Sequence, residues 1–298
     1  MSDPHPAITN VPGVEVGHWT DPDARTGATV VTFPPDNRAA GEIRGAFPAE
    51  REFASLASGT NVDAIEAVIF AGGSARGLAA ADGVVTGLGE DGVGAETPGG
   101  AYLQTVVGAV VYDLGVGDPL AFPGPAEGLA AYRARERSTV IGAVGAGAGA
   151  TAAKWRGPEE TLASGVGTWS VTVDGATVGA LVVANPVGDV FSLEGDSLTG
   201  GPPVPSLHPA QEFGARQNTT LAAIATDARL DRPSLLRLLV RVHDAYGATL
   251  RPAHTRWDGD AAVAVSCGDV DVHPDAVNEA AFIAMARAIE SVFRLPAG

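Results

Sequence analysis

Runs of apolar residues with β-branched side chains recur along the chain, separated by turns rich in Gly, Asp and Pro. The first third reads as strands and turns. ITNVPGVEVGHW (8–19) and TGATVVTF (26–33) flank an Asp/Pro turn at 21–23. NVDAIEAVIFAGGSARGLAAADGVVTGL (61–88) predicts a buried strand, a glycine turn and a helix, and VVGAVVYDL (106–114) a further apolar strand. PAEGLAAYRARER (125–137) reads as a helix with Arg133, Arg135 and Arg137 on a basic face. Two strands, TWSVTV (168–173) and TVGALVVAN (177–185), are joined by Asp174-Gly175, a hairpin turn signal. NTTLAAIATDA (218–228) is a strand opened by two threonines, and Asp231 caps a helix over 233–246 whose apolar face carries Leu235, Leu238, Leu239, Val242 and Tyr246. AAVAVSCG (261–268) is a buried strand and 273–295 a long closing helix.

The segment 195–217 is proline-rich and lacks a hydrophobic period, so it reads as an exposed linker. Strands and helices alternate irregularly. The strand-only stretches favour antiparallel pairing over repeated βαβ units, which places the chain in a layered α/β (α+β) class.

Composition narrows the function. The 298 residues carry 19 basic and 35 acidic groups, a net charge of −16, which argues against nucleic acid and against an anionic membrane surface. No apolar run is long enough to span a bilayer and no leader pattern is visible, so the expectation is a soluble, cytoplasmic protein. Cys267 is the sole cysteine, and the six histidines show no metal-ligand spacing, so neither a disulfide nor a zinc site is expected. Lysine occurs once, at Lys154, against 18 arginines. Lysine differs from arginine in that its charge can be tuned by burial.

Three glycine or serine motifs are set aside. GAGAGA (145–150) satisfies a relaxed dinucleotide pattern but opens no long helix. GGSARG (72–77) suits a tight strand-to-helix connection better than an anion cradle. GDSL (195–198) lies in the linker, where no rigid nucleophile elbow could form.

What remains is Asn218-Thr219-Thr220, where linker meets buried strand. A threonine hydroxyl needs an adjacent base, and a free α-amine on the same residue is one solution, reached by cutting the Asn218–Thr219 bond. Spacing alone leaves open a plain strand start with Asn as a turn residue.

Ordered segments along nearly the whole chain bear on this choice: ITNVPGVEVGHWTDPDARTG, FAGGSARGLAAADGV, VYDLGVGD, VGAGAGATAAK, VGALVVANPVGDV, NTTLAAIATDA and RPAHTRWDGD. In these the chain resembles the self-processing N-terminal-nucleophile hydrolases of peptidase family S58, the D-aminopeptidase/esterase and nylon-oligomer hydrolase type. The resemblance implies one domain over 1–298 with a four-layer αββα sandwich. It also implies self-cleavage into 1–218 and 219–298 after a variable linker.

Thr219 would be the nucleophile in self-cleavage and catalysis alike. Asn185 matches the family asparagine facing the oxyanion, and Lys154 the family lysine near the nucleophile. Asp258 and Asp260 match the Asp-x-Asp pair of the nylon-oligomer branch. At i and i+2 they share a face and could hold the Thr219 hydroxyl and amine; a plain Asp-Gly turn is the alternative. Tyr112 aligns with an active-site tyrosine, with a buried strand tyrosine as the other reading.

The aminopeptidase branch carries Ser-x-Glu where this chain has Asp258-Gly259-Asp260, which tilts the expectation toward hydrolysis of short linear amides such as 6-aminohexanoate oligomers. Aminopeptidase action, acyl transfer of the ornithine-acetyltransferase kind and an unprocessed binding module are the alternatives. No cofactor is implied, and assembly as several copies of the cleaved heterodimer, often four, is expected. The charge divides unevenly between the fragments, with 11 basic and 25 acidic groups in 1–218 but 8 and 10 in 219–298.

Overall fold

Val-, Ala- and Thr-rich runs with no polar alternation predict strands covered on both faces, and the computed structural model, which describes residues 6–213 and 217–294, builds two such sheets. The first sheet contains β1 (Glu15–Asp21), β2 (Thr26–Thr32), β4 (Glu50–Arg51), β5 (Ala67–Ala71) and β6 (Val106–Val110), in the order β1-β2-β5-β6-β4. The second contains β3 (Arg38–Ile43), β7 (Gly165–Val173), β8 (Ala176–Asn185), β9 (Thr219–Ala228) and β10 (Ala261–Val270), in the order β7-β8-β9-β10-β3. Helices α1 (Ala80–Glu90) and α2 (Pro125–Arg133) pack on the first sheet, α3 (Arg232–Thr249) and α4 (Pro274–Arg294) on the second.

Alternate residues of each strand define the layers. Val31, Val68, Phe70 and Val107 from one sheet meet Leu181, Val183, Leu221 and Val263 from the other in a central core. Their neighbours face outward: Val30 and Ile69 toward α1 and α2, and Val182, Ile224 and Ala264 toward α3 and α4. The architecture is therefore the expected four-layer αββα sandwich. Among the described residues no helix is long and apolar enough to cross a membrane.

Local signals in the sequence are realised by their expected means. Asp174 (φ 47°) and Gly175 (φ 88°) make the left-handed turn that pairs β7 with β8. The Asp231 carboxylate accepts from the Ser234 amide at 2.9 Å and opens α3 one residue early, at Arg232. In the GGSARG turn the amides of Gly72, Gly73 and Ser74 are all engaged, by Gly27 O, Asp113 Oδ1 and Val111 O, so the tight connection holds and no anion cradle is left open.

Pairing in the two sheets is mostly antiparallel, as expected, with one parallel pair in each, β5/β6 and β9/β10, where α1 and α3 serve as crossovers. Three expectations are corrected. The strand expected over 106–114 ends at Val110, which places Tyr112 in the loop beyond it. The helix expected over 125–137 stops at Arg133, since Glu136 pairs with Val16 at the edge of β1. The 195–217 segment is irregular, as expected, but it is docked: Trp155 Nε1 donates to Ser206 O at 3.0 Å and Gln211 Nε2 to Lys154 O at 3.0 Å. Residues 214–216 of that segment lie outside the described residues.

Helix α4 approaches β7 closely through Gly167, where a Cβ would stand 2.1 Å from Ala288 O. Gly167→Val is expected to destabilise the fold by about 3 kcal/mol, the upper range for overpacking against backbone. A denaturant midpoint unchanged from the parent would show that α4 can lift off at no cost.

Candidate active site

Thr219 is the first residue of β9, a central strand whose ladder to β8 includes Thr219 and whose ladder to β10 begins two residues on, at Leu221. Thr219 stands opposite Asn185 at the end of β8, and Asn218 bridges to Asp258 in the parallel sense. The Thr219 hydroxyl, buried with its residue, donates to the carbonyl oxygen of Asn218. That oxygen also accepts the Gly259 amide at 2.9 Å. The peptide bond expected to be cut is thus polarised from one side and touched by the candidate nucleophile from the other.

Asn185 is fully buried and its amide is oriented by what surrounds it. Its Oδ1 accepts from Lys154 Nζ at 2.9 Å and from the Thr151 amide at 3.0 Å. With Oδ1 so committed, Nδ2 is left as the donor, pointing toward Tyr112 O and Gln217 O at 3.4 and 3.5 Å. Lys154 also donates to Asn185 O at 3.2 Å. Burial pushes its ammonium down to about 7, against the upward pull of Asp258 and then Asp260.

The GAGAGA segment brings Lys154 here as a close-packed passage. A Cβ on Gly147 would stand 2.5 Å from Val166 N, and one on Gly149 would stand 2.3 Å from Arg25 O. It forms a short 3₁₀ turn rather than the start of a nucleotide-binding helix.

Asp258 and Asp260 are both buried on the same turn, but their partners are other than the Thr219 hydroxyl. Asp258 Oδ2 accepts from the Thr255 amide at 2.8 Å and the Thr255 hydroxyl at 2.5 Å. Asp260 Oδ1 accepts from the Thr220 amide at 2.7 Å, and its Oδ2 is met by His254 Nδ1 at 2.7 Å. Among the described residues neither carboxylate hydrogen-bonds the Thr219 hydroxyl. Burial, and then the charge of Asp260, raise the Asp258 carboxyl well above the ordinary carboxylate range; the Thr255 bonds and Lys154 oppose this.

Beside this cluster lies a cavity of about 320 Å³ lined in part by Tyr112, Val116, Thr151, Lys154, Thr161 and Phe213. Tyr112 is therefore a wall residue of the cavity, partly buried in a loop, rather than a buried strand tyrosine.

All the residues singled out from the sequence thus converge on one end of the second sheet. Two others were not anticipated. Gly259 supplies the amide on the Asn218 carbonyl, and a Cβ there would stand 2.8 Å from Thr219 Oγ1; the glycine between two aspartates was the available signal. His254 backs Asp260 and had no signal beyond its place in the RPAHTRWDGD segment.

Comparison with known proteins places the chain in a family. The model of peptidase family S58 matches residues 6–295. An uncharacterized aminopeptidase of Mycobacterium leprae is 40% identical over 305 residues, covering 91% of this chain and 81% of its own. The 6-aminohexanoate-oligomer endohydrolase of Paenarthrobacter ureafaciens is 32% identical over 278 residues, covering 88% and 75%.

Among solved structures, a Burkholderia sp. beta-aminopeptidase shares the fold with a TM-score of 0.73 at 23% identity, covering 98% of this chain and 86% of its own. The L-aminopeptidase D-Ala-esterase/amidase of Ochrobactrum anthropi, described as a variant of the Ntn hydrolase fold, gives 0.73 at 20% identity, covering 97% and 86%. The chain belongs to peptidase family S58 and is an amide-hydrolysing enzyme built on the Ntn hydrolase fold.

Proposed function

We propose that the chain cuts itself between Asn218 and Thr219 and then uses the freed Thr219 to hydrolyse short linear amides, either small peptides or 6-aminohexanoate oligomers, through an acyl-enzyme. One observation carries this reading: the buried Thr219 hydroxyl rests on the Asn218 carbonyl oxygen while the Gly259 amide holds that oxygen at 2.9 Å. Oγ1 attacks the Asn218 carbonyl carbon, the C–N bond breaks, the Thr219 nitrogen takes up the proton and an ester forms. Water then splits the ester, leaving an Asn218 carboxylate and a free Thr219 α-amine. Lys154, lowered to about 7, is partly neutral at physiological pH and serves as proton acceptor in the first step. The Asn218 side-chain amide is buried without a hydrogen-bond partner among the described residues. An unsatisfied group of this kind costs about 1–3 kcal/mol, and release of the chain end relieves it.

In the cut enzyme the α-amine, which titrates near 7.7–8.0 when unperturbed, is the base that activates its own hydroxyl. Asn185 Nδ2, held as a donor by Lys154 on Oδ1, stabilises the oxyanion of the tetrahedral intermediate. The leaving amine departs protonated, and water completes the cycle. The cavity beside Thr219 receives the acyl portion, and among the described residues Lys154 is the only charged one on its wall. Such a wall favours a neutral acyl chain. The cleaved heterodimer then assembles in several copies.

Denatured mass tests the first step. The parent should give chains of 218 and 80 residues, and Thr219→Ala a single uncut chain without amidase activity; an uncut parent would refute the mechanism. Gly259→Ala, by forcing a methyl against the nucleophile, should slow self-cleavage on the order of 100-fold, the loss typical of a displaced reacting group. Cutting at the parent rate would mean that Gly259 does not set the geometry.

The pH profile provides a further check. Because the α-amine is the base, kcat/KM of the cut enzyme should fall as pH drops below about 7.7–8.0. An acid limb that appears only near the ordinary carboxylate range would exclude the amine as the base.

A further inference from the structure

Asp260 lies between the nucleophile strand and a histidine. One oxygen takes the Thr220 amide at 2.7 Å. The other receives two donors from a single residue, the His254 backbone amide at 3.2 Å and its Nδ1 at 2.7 Å. His254 adopts φ 52°, a left-handed conformation that a side chain other than Gly, Asn or Asp rarely takes. That conformation lets amide and ring meet the same carboxylate oxygen. The ring is clamped from behind by His243, centroids 4.9 Å apart, and by Tyr246 at 5.5 Å. Its Nε2 is buried without a partner, so the polar work of this ring is done at Nδ1 alone. Both His243 and Tyr246 project from α3, which ties the clamp to the helix layer.

We propose that His254 is a positioning residue for Thr219, acting through Asp260 and the Thr220 amide. The inference rests on the self-cleavage reading above. Before the cut, Thr219 is held by peptide bonds on both sides. After it, Thr219 is a chain end, and chain ends fray unless tied down. The Thr220 amide is then the nearest backbone donor beyond the nucleophile, and its acceptor is aimed by His254. His254 therefore matters more to amide turnover than to self-cleavage, where the uncut backbone and the Gly259 amide already set the geometry.

The test compares the full-length parent with His254→Asn, His254→Gly and His254→Gln, each examined by denatured mass and by steady-state kinetics on a 6-aminohexanoate oligomer or a small peptide amide. Asn and Gly both accept the left-handed backbone, but only Asn keeps a donor at the Nδ1 place; Gln moves its donor to the Nε2 place. All are expected to cut at Asn218/Thr219. Asn should retain kcat within a few-fold, and Gly and Gln should lose about 30-fold or more in kcat with KM little changed, the scale of a misplaced reacting group.

If the Gly variant does not fold, the Asn and Gln contrast decides. Parent kcat in the Gly or Gln variant would overturn the proposal, as would a rise in KM with kcat intact, or an Asn variant as slow as Gln. These results leave self-cleavage standing. A parent that is never cut overturns that reading and this inference together.

Discussion

The register of β9 is the constraint on which the rest of the molecule depends. The strand is bonded to β8 on one side and to β10 on the other, and both its faces are buried. A shift by one residue would turn Leu221, Ala223 and Ala225 out of the central core and toward the helices. The Asn218–Thr219 peptide therefore has one place to be, at the end of the sheet. Everything that acts on it is delivered by the neighbours in the ladder: Asn185 from β8, and the 258–260 turn from the entry to β10. The two sheets and four helices make that position rigid, which is what preorganised catalysis requires of its scaffold.

The charges around this position are few and mutually dependent. One lysine and two aspartates are withdrawn from water within one cluster. Burial disfavours each charge singly, while their opposition in sign restores part of the cost. The balance leaves Lys154 near 7 and Asp258 well above its ordinary range, close to the Asn218–Thr219 peptide. An arginine at 154 would have stayed charged and would not fit the compact contact with both Asn185 oxygens. The presence of one lysine in a chain that otherwise writes arginine thus has a local physical reason.

Much of the fold was legible because its signals are local. Asp174-Gly175 can make only a left-handed turn at low cost, Asp231 precedes an amphipathic run, and unbroken Val/Ala strands imply cover on both faces. The parallel pairs were not legible, because pairing across a crossover depends on which distant strand lies nearest in space and not on either strand's own pattern. The site was legible as a set of residue types, through Thr219, Lys154 and Asn185 and their resemblance to a family. Its geometry was not. Two aspartates at i and i+2 were expected to face the Thr219 hydroxyl, whereas the turn aims one at Thr255 and the other at Thr220. Periodicity says which side chains share a face but not which donors compete for them, and the nearest donors here come from the loop that precedes the turn.

That competition also explains the division of labour in the turn. The two carboxylates are occupied in holding backbone, and the glycine between them leaves room for Thr219 Oγ1 while its amide meets the Asn218 carbonyl. Acidic residues that are buried and satisfied make poor ligands for a substrate amine, since engaging one would break an existing charge-assisted bond. The pair is better understood as the frame that fixes the start of β9. Among the described residues the cavity wall that includes Tyr112 and Thr161 carries one tunable cation and otherwise neutral side chains. A frame of this kind tolerates changes on that wall without disturbing Thr219.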